Sequence, residues 1–278
     1  MSAPGVSRWH VARTIAGRDL RSQLFGLSLY LAVALVLWGV SHFALRNALW
    51  QVEQNGLMVL GSPVAYPFFL AMWLSAIYFG LMAAVAIARE RDNGTLEVLF
   101  YGPVDSLSYL AGKFLQPMAS ALVVTALYLV TFGAAAWFTN LGFPRETPQL
   151  VVLALALTAC VVALGLLISA LSRRVFLAVL VFLGLMLLFT LFSVAHAVLL
   201  AIPGERLTDL LAFARTVVDN VQQVLTWVSP IGYYSRGSAA LQVGDAGQYL
   251  AALGSSLLYA AVMLSLAAWA FARKGVRR

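Results

Sequence analysis

Long runs without a single Asp, Glu, Lys or Arg alternate along the chain with short clusters of charged residues. A helix needs about 20 largely apolar residues to cross roughly 30 Å of hydrocarbon, and six of the runs reach that length. They predict spans at 24–45, 67–88, 114–138, 149–171, 175–202 and 247–271. Gly61, Pro63 and Pro67 delay the second span, and Pro203-Gly204 closes the fifth. The expected fold class is all-α: one polytopic membrane domain, 1–278, with six transmembrane helices.

Two other stretches carry helical periodicity without spanning character. Residues 7–23 are basic and helix-compatible. Trp9, Ala16 and Leu20 share a face, but Arg13 falls on it too, so an N-terminal helix lying in the membrane interface is expected. Between spans five and six, Leu207, Ala214, Val221 and Val228 recur every seven residues. Leu210, Val217 and Val224 fill the second seam position, with Leu211, Val218 and Leu225 beside them. Asp209, Arg215, Asp219, Gln222 and Gln223 take the other faces. This predicts an amphipathic helix over 206–229. It rests on the outer bilayer surface or its own bundle, or it pairs with a second membrane subunit or an external partner.

Composition agrees. Of 278 residues, 62% are hydrophobic and 10% charged, against about 45–50% and 25% in soluble domains. The mean hydropathy is +0.89. A soluble enzyme, a disordered chain and a disulfide-stapled secreted domain are excluded. The lone Cys160 can form neither an intrachain disulfide nor a cysteine metal cluster.

Charge sets the expected topology. The N-terminal segment, the 89–113 connection, Arg173-Arg174 and the C-terminal tail hold 13 basic residues, and the other connections hold five. Both termini should therefore be cytoplasmic. The net charge of +7 marks cytoplasmic loops here, and no nucleic-acid partner is expected. The first span follows Arg8, Arg13, Arg18 and Arg21 like a signal peptide. It is too long for one and lacks a cleavage site, so a retained helix is expected.

Only His42 and His196 remain as ionisable groups inside the spans, both near the outer ends. No mid-membrane carboxylate, internal repeat or pair of broken helices is visible, so an ion-coupled carrier is not expected. Neither histidine has the company of a metal or haem site. Neither Ser255 nor Ser256 is followed by the glycine of an intramembrane serine protease.

The richest connection runs from Ala88 to Pro103. Asn93-Gly94 signals a turn, Thr95 can cap a helix, and Glu97 suits the positive end of that helix. Leu96, Leu99 and Phe100 fall on one face, and Gly102-Pro103 stops the element. A short helix over 95–101 follows, which rests on lipid headgroups or docks into a cytoplasmic partner. Asp105 or Ser106 can cap the next helix, which runs through Gly112-Lys113 into span three.

These residues resemble a known family. Glu90-x-x-x-Gly94-Thr95-Leu96-Glu97, then Pro103, then Gly112-Lys113 at the head of a span, is similar to the ABC-2-type permeases, the membrane subunits of ABC exporters. Leu167 to Arg174 is similar to a second recurrent stretch, and Ser229-Pro230, Gly244-Asp245 and Tyr249 loosely match a third. The resemblance implies a half-transporter that pairs with a second permease subunit, as a homo- or heterodimer. It also implies two separate ATP-binding subunits, engaged through a coupling helix at 95–101 in which Glu90, Gly94, Thr95, Leu96, Glu97, Leu99, Phe100, Pro103, Gly112 and Lys113 take part. In the family an N-terminal helix like 7–23 often flanks the ATP-binding subunit. Anchoring to anionic lipid is the other reading of that helix.

No G-x-x-x-x-G-K-[ST] phosphate loop is present. The chain is therefore expected to be no enzyme and to hold no cofactor, with ATP and Mg bound by the partner. The expected setting is a cell membrane, multi-pass, in a prokaryote. The reading from a different class is a non-transporting membrane scaffold or assembly factor.

Overall fold

The computed structural model describes residues 8–55, 65–95, 105–139, 146–202 and 209–274, which hold nine helices and no strand. They are α1 (Arg8–Leu24), α2 (Leu27–Asn55), α3 (Ala65–Asp92), α4 (Ser106–Thr139), α5 (Thr147–Leu171), α6 (Val175–Ala201), α7 (Asp209–Val228), α8 (Pro230–Val243) and α9 (Ala246–Lys274). Within α3, α4, α5, α6 and α9 lie stretches long and apolar enough to cross a membrane; α1 and α2 qualify only together, as a pair bent by 63°. The chain is a multi-pass, all-α membrane protein.

Several boundaries differ from the sequence expectation. The first predicted span begins after a break at Phe25-Gly26, where the amides of both residues still bond back to Arg21 and Gln23. α4 begins at Ser106, where the sequence placed its cap, and runs through Gly112-Lys113 into the third span. The Asp105 carboxylate accepts the Ser108 amide at 3.3 Å, as a helix cap does. A broken pair was not expected, and no element was predicted over α8.

α5 is the centre of the bundle. Its sequence is apolar all round, and 78% of its most apolar window is buried, against 22% for α6. A helix hydrophobic on every face suits lipid or a core equally; contact with α3, α4, α8 and α9 makes α5 the core. α3, α5 and α9 run in the same direction. Ile87 and Ala88 meet Ser169, and the Cys160 thiol donates to Ser256 O at 3.1 Å. The ends of α3, α5 and α9 and the starts of α1 and α4 gather at one end, called the basic end because Arg89, Arg91, Arg173 and Arg273 lie there.

The α3–α5 crossing has no room for a side chain. A Cβ on Gly165 would lie 2.3 Å from Gly80 O, and one on Gly80 would lie 2.6 Å from both Val161 Cγ1 and Phe182 Cζ. Gly165→Val must force the two backbones apart, and overpacking of this kind costs roughly 1–3 kcal/mol or more. We expect a lower unfolding temperature in detergent for Gly165→Val. Gly184 has nothing within 4 Å of a Cβ, so Gly184→Ala is expected to unfold no earlier than the wild type in the same scan.

Candidate functional site: a clamped loop at the basic end

Two helices flank the 93–105 connection, and both reach the same buried charge. Lys113, on the second turn of α4, lies 2.7 Å from Glu90 Oε1 at the end of α3 and 2.8 Å from Asp19 Oδ2 on α1. The lysine side chain is 9% exposed, the glutamate 17% and the aspartate 22%. The Tyr109 hydroxyl donates to Glu90 Oε2 at 2.5 Å, and its ring stacks on Phe271 of α9 at 5.5 Å. Two carboxylates facing the enclosed lysine offset the cost of burying it.

The same junction binds α1 along its length. Ala12, Ile15, Asp19 and Gln23 lie on one face of α1, toward α4. A Cβ on Gly112 would lie 3.1 Å from Ala12 O and from Ile15 Cβ, so glycine lets α1 approach there. Gln116 donates to Gln23 Oε1, which also accepts the Ser120 hydroxyl at 2.8 Å. Pro117 sits inside α4, and its missing N–H leaves the carbonyl of Lys113 without a helical donor. Arg13, Arg18 and Arg21 occupy the exposed half of α1. The helix expected in the interface is thus attached lengthwise to α4 by its inner face.

α5 joins through hydrogen bonds. The Ser169 hydroxyl oxygen accepts the amides of Ile87 and Ala88, each at 3.0 Å. Arg91 Nη1 donates to Ser172 O at 2.6 Å and to Ala170 O at 3.3 Å, placing a cation on the negative end of α5. Gly94, at φ 68°, turns the chain out of α3, and the Thr95 hydroxyl donates to Glu90 O at 3.1 Å. Of the residues expected to form the coupling element, Glu90, Gly94, Thr95, Gly112 and Lys113 are placed here. Leu96, Glu97, Leu99, Phe100 and Pro103 lie outside the described residues. Asp19, Gln23, Tyr109, Arg91 and Ser169 were not singled out in the sequence. The one available signal was the run Ala12, Ile15, Asp19, Gln23, which keeps a helical face free of the arginines.

The second expected site, the amphipathic helix, is α7, and it leaves part of the predicted seam exposed. Leu207 lies outside the described residues, and Leu210 falls within α7. Ala214 and Val221 are partly buried, but Val217, Val224 and Val228 are exposed, together with Phe213 and Trp227. The face toward the bundle carries Leu211, Val218 and Leu225, with polar Arg215, Asp219, Gln222 and Thr226 partly buried among them. Asp219 Oδ1 lies 3.0 Å from His196 Nε2 of α6, which fixes this orientation. Exposed apolar and inward polar residues leave α7 with an uncovered apolar stripe that suits hydrocarbon or a second apolar surface.

α7 and α8 form a helical hairpin. Its tip, Ser229-Pro230, lies beside the middle of the bundle: Tyr233 packs with Cys160, Ala163 and Tyr259. Farther along α8, Tyr234 stacks on Phe69 at 4.3 Å, and a Cβ on Gly237 would lie 2.7 Å from Leu153. The amphipathic helix therefore leads into a turn and a short helix that pack against α5 and α9.

Removing the central cation should loosen α1 specifically. Breaking a buried ion pair from one side costs roughly 3–5 kcal/mol, and the partly exposed carboxylates place Lys113→Met toward the lower figure. We expect faster amide hydrogen exchange in α1 for Lys113→Met, measured by mass spectrometry. Protection should be largely recovered when Asp19→Asn and Glu90→Gln are added, because no unpaired charge then remains.

A comparison with curated proteins finds no match. The model of the ABC-2 family transporter proteins matches residues 15–276, nearly the whole chain and every helix described above. The clamped loop, the bundle and the hairpin are thus those of a membrane transport component, and the chain belongs to the ABC-2 transporter family.

Proposed function

We propose that the chain is the permease half of an ATP-driven exporter in a prokaryotic cell membrane. It builds the translocation pathway with a second permease subunit, of the same or another chain. It takes its energy from two separate ATP-binding subunits, which carry the ATP and Mg. The observation that carries this reading is the clamp. Both flanks of the 93–105 connection end on Lys113, Glu90 and Tyr109, and the same group holds α1 through Asp19. A push on that connection is carried into α1, α3 and α4 as one body, and through Arg91 and Ser169 into α5. A loop that merely rested on lipid would need no such brace.

In this reading Leu96, Leu99 and Phe100 present an apolar face to the ATP-binding subunit from the cytoplasm, with Glu97 and Thr95 at the head of the short helix. The exposed arginines of α1 lie on the same side. The exposed stripe of Val217, Val224 and Val228 faces lipid or the second permease subunit.

Co-expression with an ATP-binding chain tests the reading. The two should co-purify, and ATP hydrolysis should rise on assembly. Leu99→Asp should abolish both, because a charge in a dry apolar contact costs about 2 kcal/mol or more; full assembly and turnover in this variant would overturn the coupling role. Sidedness is tested in a Cys160→Ala background. Asn93→Cys should react with a membrane-impermeant maleimide only from the cytoplasmic side and Gln223→Cys only from the other.

A further inference from the structure

Arg236 on α8 has no carboxylate at ion-pair distance among the described residues. Its neighbour Gly237 lies against Leu153, six residues into α5, roughly 9 Å from the helix start at 1.5 Å per residue. With the start of α5 at the membrane surface, that depth would be the border between headgroups and acyl chains. Arg236 Nη2 donates to Thr226 O at 3.1 Å and Nε to Gly232 O at 3.3 Å. The guanidinium lies 4.2 Å from the Trp227 ring centre and 5.0 Å from that of Tyr233. Among the described residues, Nη1 makes no hydrogen bond and no ion pair reaches Arg236.

The polar face of α7 contains two further groups without partners. Gln222 Oε1 and Ser229 Oγ are buried and make no hydrogen bond, and Ser229 as a whole is 4% exposed. Gln222, Thr226 and Ser229 follow each other along one face of α7 into the turn. Arg236 meets that face at Thr226. Ser229 also precedes the first turn of α8, whose amide end carries partial positive charge, yet its side chain makes no cap bond. A cation with free N–H groups, a hydroxyl and an amide acceptor therefore remain unsatisfied in one hairpin.

We propose that the α7–α8 hairpin binds a phospholipid-type headgroup, with Arg236 taking the phosphate. Cation–π contacts with Trp227 and Tyr233 hold the guanidinium, and Nη1 is left for the anion. Ser229 adds a hydroxyl. Gln222 Oε1, an acceptor, takes the hydroxyl or ammonium that such headgroups carry beside the phosphate. This assignment rests on the membrane reading and not on ATP-driven export, so it stands or falls independently of the coupling experiment.

The test uses the purified full chain, delipidated in neutral detergent and titrated with phosphatidylglycerol. Bound lipid is counted by native mass spectrometry, and phosphatidylcholine serves as the comparison lipid. Arg236→Gln should weaken phosphatidylglycerol retention about tenfold, the loss of one charge-assisted contact. Arg236→Lys should fall between, since it keeps charge without the fork. Arg13→Gln, at the basic end, should leave the tightly retained lipid unchanged. Undiminished retention in Arg236→Gln overturns the proposal and leaves Arg236 as a cap on the α7 carbonyls. Should that variant fail to fold, Gln222→Leu leaves the arginine contacts intact and is read instead: a several-fold loss supports the site, and unchanged retention overturns it. Inorganic phosphate is the second arm. Displacement of the lipid by it means that the site reads phosphate itself; lack of displacement means that the phosphate must arrive on a lipid.

Discussion

An ammonium group withdrawn from water must be surrounded by negative charge, and that requirement holds the basic end of this protein together. Lys113 projects from α4 near the membrane boundary. Its carboxylates come from two other helices, Asp19 on α1 and Glu90 on α3. None of the three helices can move relative to the others without exposing or unpairing a charge. The Tyr109 hydroxyl holds Glu90 in place, and Gly112 allows α1 the close approach that brings Asp19 within reach. In a soluble protein a salt bridge of this kind is often dispensable. Here the surroundings supply little water to replace it.

The rest of the bundle obeys a different rule. In hydrocarbon an exposed leucine costs nothing, so apolar burial does not by itself choose the packing; close fit and polar contacts do. α5 shows the first, with Gly165 against the Gly80 carbonyl. Ser75 and Tyr128 show the second, their hydroxyls 2.7 Å apart between α3 and α4, as does the pair of amides on Ser169. α7 follows the same rule in reverse: its valines turn outward and its Asp219, Gln222 and Thr226 turn inward.

The clamp and the hairpin sit at opposite parts of one rigid core. α3 and α5 connect them, since α3 ends at Glu90 and carries Phe69 against Tyr234, while α5 carries Ser169 near one end and Leu153 against Gly237 near the other. A continuous packed route through α3 and α5 thus joins the clamp to the α7–α8 hairpin.

Hydropathy is a sum over neighbouring residues, so the apolar runs, the all-α class and the amphipathic nature of 206–229 could be read from the chain alone. So could the Asp105 cap and the Asn93-Gly94 turn, because each depends on atoms a few bonds apart. α8 was within reach too: Pro230 directly after Ser229 and Gly244 at the far end are start and stop signals. Its Gly, Ser and Tyr content weakens that signal, and the packing of Leu153, Phe69 and Tyr259 against it sets its place. Which face of α7 turns inward could not be read, because the apolar stripe is wider than one contact and His196 decides the rotation from another helix. Nor could Asp19, whose lysine partner is 94 positions away. The local pattern determined which segments are helices and which of them suit a membrane. The tertiary structure alone decided which charges meet, because pairing in a low-dielectric interior depends on distance through space, and the sequence carries only distance along the chain.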